Sequence, residues 1–511
     1  MAHTIQDSKR IATNTFLLYL RMLFIMVVNL YTSRIVLATL GVEDYGIYNV
    51  VGGFVTMFTF ISGAMTTATQ RFISFEIGKK DFGKIQTVFS TAVIIHLILA
   101  GIIFLVAEIF GIWFLNKYMN FSPTRYFAAN CVFQFSLITF IVNVISVPYN
   151  ASIIAYEKMK AFAYVSIVEV ILKLVIVYLL IISPFDRLIV YSFLLAIISI
   201  IIRIIYGLYV RKNLKECVFI KSMDKSYVSK VMSFVSWNLI GSLSCVAKEQ
   251  GVNIVINMFF GAGVNAARAI AYQVQGAVCA FVNNFQLAMN PQIVKSYAAN
   301  EQEGMFKLVF KGSKLSFLLL LNLTLPLLLE TSFILKLWLE NVPDYTVIFL
   351  RLVLITALID SLSGPLIASM HASGKVKTYQ IVVGGISLLT LPIVYYFLRL
   401  GYPPYYAMFI TTIMSIVCHF ARLIILNRSI NLPIFYFLRS VTSKVILVSI
   451  ISVIFPYFFF ICLDDSWQSF LLVCCTSLFS TLFFSYYLGL DHIEKVFLKD
   501  KLCHFLNRAK K

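Results

Sequence analysis

The sequence predicts an all-α polytopic membrane protein of about fourteen transmembrane helices. They would form two six-helix lobes related by a pseudo-two-fold axis along the membrane normal, plus two C-terminal helices. Three observations predict this: composition, the sidedness of the charge, and an internal repeat. Of 511 residues 60% are hydrophobic and only 13% charged, whereas a water-soluble domain is about half apolar and about a quarter charged. The apolar residues gather in runs at 14–39, 45–76, 85–115, 126–154, 161–182, 187–210, 228–260, 264–294, 315–335, 345–371, 378–399, 403–426, 440–463 and 467–490. Each is at or above the roughly 20 residues that a helix needs to cross the hydrocarbon core, and the longer ones imply tilt or extension beyond the lipid.

Charge placement tests that division. With the N-terminus in the cytoplasm, 29 of the 42 Lys and Arg residues fall on cytoplasmic tails, loops and adjoining helix turns. Six fall on the opposite side and seven lie within spans. A miscounted span would scramble this positive-inside split downstream. The expected topology is therefore multi-pass with both termini cytoplasmic. The opening MAHTIQDSKR is polar, and the first apolar run exceeds a signal-peptide core, so helix 1 is expected to stay as an anchor. The same placement accounts for the net charge of +19 without nucleic acid, for which there is no zinc spacing or helix-turn-helix context. The nine cysteines include no CxxC, and most lie in apolar runs, where buried thiols act as small hydrophobes.

The repeat pairs PYNASIIAYEKMKAF (148–162) with PLIASMHASGKVKTY (365–379), identical at Pro148/Pro365, Ala151/Ala368, Ser152/Ser369, Ala155/Ala372, Lys158/Lys375 and Lys160/Lys377. Six spans separate the copies, an even number, so both halves keep one orientation, as in transporters built from parallel halves. The division read from it is 1–220 (helices 1–6), 221–430 (helices 7–12), 431–490 (helices 13–14) and a basic amphipathic cytoplasmic tail, 491–511. Pro148 and Pro365 each free a carbonyl and bend a helix, which makes them candidate hinges.

An ionisable side chain at membrane depth needs water or a partner, and so marks a site by default. Seven basic residues lie within spans: Arg21, Arg34, Arg71, Lys173, Arg203, Lys248 and Arg268. Arg71 and Arg203 stand near cytoplasmic ends, where they can snorkel. Lys173 follows Glu169 by one turn, the spacing of a structural ion pair. Arg21, Arg34, Lys248 and Arg268 lie on helices 1, 7 and 8, equivalent helices of the two halves, and predict a basic chamber able to grip phosphate. Structural pairing, for instance of Lys248 with Glu249, is the competing reading. Gln70, Asn253, Gln273 and neighbouring amides either join helices or line a wet groove that binds sugars. Asp360, His96 and Glu108, with His419, are candidate groups for H⁺ or Na⁺ coupling, or are structural. No catalytic residue, metal ligand or cofactor is expected. The chain has no GxSxG, HExxH or Walker A motif, and the acidic pair Glu43–Asp44 sits in a tight turn rather than an outward domain.

The stretch NTFLLYLRMLFIMVVNLYTSRIVLATLGVEDYGIYNVVGGFVTMFTFISGAMTTATQRFISFEIGK (14–79), with its LGxxxYGxY turn, resembles the polysaccharide flippases. These are the O-antigen and capsule repeat-unit translocases of the multidrug/oligosaccharidyl-lipid/polysaccharide exporter superfamily, with a MATE-like fold. The resemblance implies a V-shaped, two-lobed transporter whose cavity is lined by helices 1, 2, 7 and 8, in a bacterial cytoplasmic membrane. It implies flipping of undecaprenyl-diphosphate-linked oligosaccharide to the outer leaflet by alternating access, with membrane lipid and polysaccharide polymerase machinery as partners. Arg21, Arg34, Arg71, Lys248 and Arg268 carry over to that role only by helix and chemical type. Helices 13 and 14 resemble the extra pair of lipid II flippases. Two alternatives stand beside this: a multidrug/cation antiporter of the same fold, and a polytopic membrane glycosyltransferase or polymerase.

Overall fold

The computed structural model describes residues 18–29, 59–113, 123–220, 225–339, 342–463 and 466–491, with scattered positions from 31 to 52 and at 115, 494 and 495. Every regular element among the described residues is helical. In chain order these are α1 (Leu18–Asn29), α2 (Thr59–Lys79), α3 (Phe82–Gly111), α4 (Tyr126–Ala155), α5 (Met159–Ile182), α6 (Arg187–Asn213) and α7 (Lys225–Ala298). They continue with α8 (Gln302–Leu329), α9 (Thr331–Trp338), α10 (Thr346–Ser373), α11 (Val376–Arg399), α12 (Tyr405–Ile430), α13 (Ile434–Cys462) and α14 (Trp467–Gly489).

Among the described residues eleven helices are long and apolar enough to cross a membrane, where about fourteen spans were expected. The other three expected spans are 14–39, 45–76 and 264–294. The first two fall partly outside the described residues. The third is helical throughout but continuous with the span before it, inside α7. A straight helix would hold Asn253 and Arg268 about 22 Å apart at 1.5 Å per residue. Instead, Arg268 Nη1 donates to Asn253 Oδ1 at 3.3 Å and Nη2 donates to the Glu249 carbonyl at 3.1 Å. The chain therefore doubles back between 253 and 268.

The described residues divide into two compact units, one up to Leu239 and one from Ile240 onward. In the N-terminal unit α4 is the central helix, packed against α6, α2 and α3, with α5 against α6. Its core joins Ile103, Phe133, Leu137, Val144 and Leu188. In the C-terminal unit α12 packs on α10 and α11, and α8 packs on α10 and α14, around a core of Val252, Ile256, Ala267, Phe349, Leu354 and Val394. Many large apolar side chains point outward, among them Phe127, Ile182, Phe435 and Ile461. That much exposed apolar surface is the mark of a lipid-facing exterior.

The repeat is visible in the backbone. After α4 the chain passes through Glu157 at φ 56° and Lys158 at φ −80°, ψ 54°. After α10 it passes through Gly374 at φ 73° and Lys375 at φ −83°, ψ 52°. Each copy thus ends one helix on a left-handed residue and opens the next on a lysine. The prolines differ. Pro148 sits inside α4, whereas Pro365 opens a new helical segment, Gly364–Ser373, after a break at Leu362–Ser363. Breaking a helix inside a membrane strands carbonyls that water cannot reach. Here Gln286 Nε2 donates to the Ser361 carbonyl at 3.2 Å, and Ser313 Oγ donates to the Leu362 carbonyl at 2.8 Å.

Two ionic ties lie at helix ends. Arg125 bonds both oxygens of Asp44 and one of Asp186, which itself caps the first turn of α6 through the N–H groups of Leu188 and Ile189. Buried Lys314 on α8 pairs with Asp491 and Glu494 at 2.9 Å each, and Lys444 also reaches Asp491. The rest of the expected tail lies outside the described residues.

Candidate functional site: a polar cavity in the N-terminal unit

The N-terminal unit holds a partly open cavity of about 380 Å³. It is lined by Asn29 of α1, Tyr48, Thr139 and Asn143 of α4, Glu169, Lys173 and Val177 of α5, and Tyr191, Leu195 and Ser199 of α6. Amphipathic placement explains the lining. Glu169 and Lys173 are four apart, and Lys173 and Val177 four more, so one face of α5 meets the cavity. Lys173 Nζ donates to Glu169 Oε1 at 2.6 Å. Each side chain is more than a third exposed, 36% for Glu169 and 39% for Lys173. Tyr48 and Tyr191 meet edge to face with centroids 5.0 Å apart, the geometry that the ring quadrupole favours.

Arg21 of α1 is not among the residues that line this cavity. Its guanidinium lies 4.4 Å over the ring of Phe162 on α5 and interacts electrostatically with Glu169 and with Tyr206 on α6. Its Nε is buried without a hydrogen-bond partner, and among the described residues it forms no ion pair. Arg203 lies over Tyr149 at 3.7 Å. Arg71 stacks on Phe72, Phe75 and Phe234, with Gln70 half-buried beside it. His96 is buried, its Nδ1 on the Ala92 carbonyl at 2.7 Å, and Glu108 accepts from Gln134 at 3.2 Å. Arg34 lies outside the described residues.

The remaining candidates belong to the C-terminal unit. Arg268 is buried, bonded as above, and stacked on Tyr272 at 4.3 Å. Lys248 is half-buried and Gln273 exposed. Asp360 accepts from Ser415 Oγ. Beside it, Arg422 donates to Ser363 Oγ at 3.0 Å and to the Tyr379 hydroxyl at 3.2 Å, and Ser363 Oγ meets His419 Nδ1 at 3.3 Å. Arg422 lies in α12, about two turns before its C-terminal end. The expectation of buried thiols is corrected, and one half of the acidic pair set aside above is engaged. Asp44 is engaged by Arg125 and buried, so it cannot serve as half of a free acidic pair; Glu43 lies outside the described residues. Among the described cysteines only Cys217 and Cys418 are buried, and Cys245, Cys462 and Cys475 are exposed.

Sequence reasoning set Glu169 and Lys173 aside as structural. The pair does form, but inside the cavity. The missed signal was the conjunction of a mid-span pair with Asn29, Asn143 and Tyr191 on other spans.

The MatE family model matches residues 18–179. No curated protein matches the chain in sequence. The structure is similar to that of a point mutant of the Vibrio cholerae MATE transporter VcmN (16% identity, 86% of this chain and all of that one, TM-score 0.72). It is similar to an outward-facing multidrug resistance MATE family transporter of the MOP superfamily (14% identity, 81% and 94% of the two chains, TM-score 0.68). It is also similar to a MATE in complex with MaD3S (16% identity, 83% and 97%, TM-score 0.70). The chain therefore has the MATE fold, a multi-pass transporter fold and not that of a membrane glycosyltransferase. One expectation is overturned: the partner expected from the flippase resemblance was undecaprenyl-diphosphate-linked oligosaccharide, and the ligand held by this fold in the compared complex is MaD3S.

Proposed function

We propose that this chain is an alternating-access membrane transporter of small organic solutes, an antiporter of the multidrug type, and that the N-terminal cavity is its solute site. The observation that carries this is the cavity itself: drug-sized, with aromatic walls, amides and one ion pair, the composition of a ligand pocket, on a MATE fold. Glu169 and Lys173 would be its ion-sensitive element, because binding or releasing a proton or cation at Glu169 breaks or restores the pair. Arg21, Arg71 and Gln70 in this unit, and Lys248, Asn253, Arg268 and Gln273 in the other, would line the solute path. Asp360, His96 and Glu108 would be secondary coupling groups. Pro148 and Pro365 would be hinges, and both termini cytoplasmic. Lobes of 1–220 and 221–430 would perform the exchange, with 431–490 and the tail appended.

The test is reconstitution of the full chain in vesicles, with solute flux measured under imposed proton and sodium gradients. Gradient-driven flux that Glu169→Gln uncouples is expected. Equal flux with and without both gradients, in a folded protein, refutes the antiporter reading.

A further inference from the structure

The segment that follows α6 folds back onto the N-terminal unit. Leu214 and Cys217 are buried, and the Cys217 N–H donates to the Leu214 carbonyl at 2.9 Å, which closes a turn. The Tyr156 hydroxyl, at the end of α4, donates to Glu216 at 3.3 Å. Residues 218–220 then lie against α3. There the buried hydroxyl of Ser90 accepts from the Ile220 N–H at 2.9 Å and donates to the Val218 carbonyl at 3.4 Å. Ser90 comes eight residues after the start of α3 (Phe82–Gly111), about 12 Å along its axis at 1.5 Å per residue. A helix of that length, about 45 Å, overshoots a hydrocarbon core of about 30 Å by roughly 7 Å at each end when centred. Residues 218–220 therefore lie about 5 Å inside the acyl boundary. Non-helical backbone persists at such depth only where its polar groups are served, and Ser90 serves two of them.

At that depth Val218 and Phe219 are 41% and 47% exposed, a surface that acyl chains cover and water does not. The residues just before them are basic: Arg211 and Lys212 in the last turn of α6, and Lys215 in the turn, all exposed. The one acid between 211 and 220, Glu216, is held by Tyr156. An apolar tip in the acyl layer with cations at the helix end beside it is the arrangement of an interfacial anchor. Guanidinium and ammonium groups both donate to phosphate. We propose that residues 211–220 form a binding site for an anionic phospholipid, whose phosphate is received by Arg211, Lys212 and Lys215 while its acyl chains pack on Val218 and Phe219. A zwitterionic lipid offers the same chains but brings an ammonium that the three cations repel. Because this segment leads from α6 towards α7, the bound lipid fastens that connection to the membrane surface.

The experiment places the full chain carrying Phe219→Trp in phosphatidylcholine vesicles. Phosphatidylglycerol or phosphatidylcholine, brominated near the headgroup end of the chain, is then added at equal mole fraction. The reading is quenching of the added tryptophan, over the emission of the four native ones in the unchanged protein. Each basic residue near an anionic surface is worth about a fivefold preference, so brominated phosphatidylglycerol should quench about threefold or more better than brominated phosphatidylcholine. Arg211→Gln/Lys212→Gln/Lys215→Gln should bring the two lipids level. Lys158→Gln/Lys160→Gln, on the exposed α4–α5 turn, should leave the preference intact. Should the triple variant fail to fold, salt at about 1 M, where the screening length is about 3 Å, should level the lipids in the Phe219→Trp protein itself. Equal quenching by both lipids at low salt overturns the proposal. So does quenching by neither, which puts the segment in water and leaves it to a soluble partner. An equal loss of preference in the Lys158/Lys160 variant overturns it as well, since the selectivity would then belong to the basic face at large.

Discussion

At Arg125 one guanidinium ties three segments of the N-terminal unit: the turn at Asp44, the start of α4, and the cap of α6 at Asp186. Partial burial acts to lower its pKa, and the bonds to the two carboxylates outweigh that, holding it above its ordinary value. Arg125→Met leaves buried Asp44 without its cation. Removing one partner of a fully buried pair costs about 3–5 kcal/mol, and of an exposed pair under about 1. For this half-exposed site a loss of about 1–3 kcal/mol is expected, read as a lower melting temperature in detergent, with partial recovery in Arg125→Met/Asp44→Asn. Neither tie nor cavity was readable at this scale from the chain alone. Spacing identified the Glu169–Lys173 pair, but only the folded unit shows that its neighbours leave space around it. Of the basic residues chosen by depth, Arg21, Arg203 and Arg268 each rest on an aromatic ring. Phe162 and Tyr149 come from other helices that no local pattern reveals, whereas Tyr272 follows Arg268 by four residues on α7, a spacing visible in the sequence.

Among the elements, α10 gives the sharpest test. Its break at Leu362–Ser363 survives because Gln286 and Ser313 take the freed carbonyls. Gly364 makes room for this: a Cβ there would stand 2.2 Å from Gln286 Oε1. Gly364→Ala should push Gln286 off the Ser361 carbonyl, at a cost of about 1–3 kcal/mol for the stranded acceptor. Faster hydrogen exchange confined to α10 and the Gln286 turn would report it. At the repeat, Gly374→Ala should cost about 1–2 kcal/mol, because φ 73° is left-handed and an L side chain resists it. The same thermal melt measures this. The repeat was legible from identities at six positions, of which Lys158 and Lys375 open the following helix with the same backbone conformation, while Pro148 and Pro365 sit differently. The doubling back inside α7 was legible as two separate spans, 228–260 and 264–294, on either side of a short glycine-bearing stretch.

For the molecule as a whole, composition and charge sidedness were enough to read an all-helical membrane chain. The number of crossings was harder, because α2 carries Gln70, Arg71, Glu76 and several threonines, and the second arm of α7 carries many amides, so hydropathy alone does not rank them as spans. The C-terminal tie makes a prediction at this scale. Burial opposes ionisation of Asp491, but the bonds from Lys444 and Lys314 prevail and hold its pKa below the usual carboxylate range. A depressed pKa adds stability that is full above the unfolded value and is lost as pH falls through the folded one. The tie should therefore be constant from about pH 8 to 5 and release below about pH 4. Asp491→Asn should exchange the Ser485–Asp491 amides at pH 7 as fast as the unchanged protein does only in acid, after correction for intrinsic rates.

The Arg268 bridge to Glu249 and Asn253 also bears on how the chain is made. An arginine presented singly to the translocon costs up to about 2.5–3.5 kcal/mol at a helix centre and less toward its ends, and the amide-rich arm that carries Arg268 has little hydrophobicity to offset even the smaller cost. With the preceding arm already alongside, a carbonyl and an amide oxygen await the guanidinium, so the two arms should partition into the membrane as a pair during synthesis. In a glycosylation-mapping assay, residues 225–298 should insert as a unit, whereas 264–298 alone should pass through.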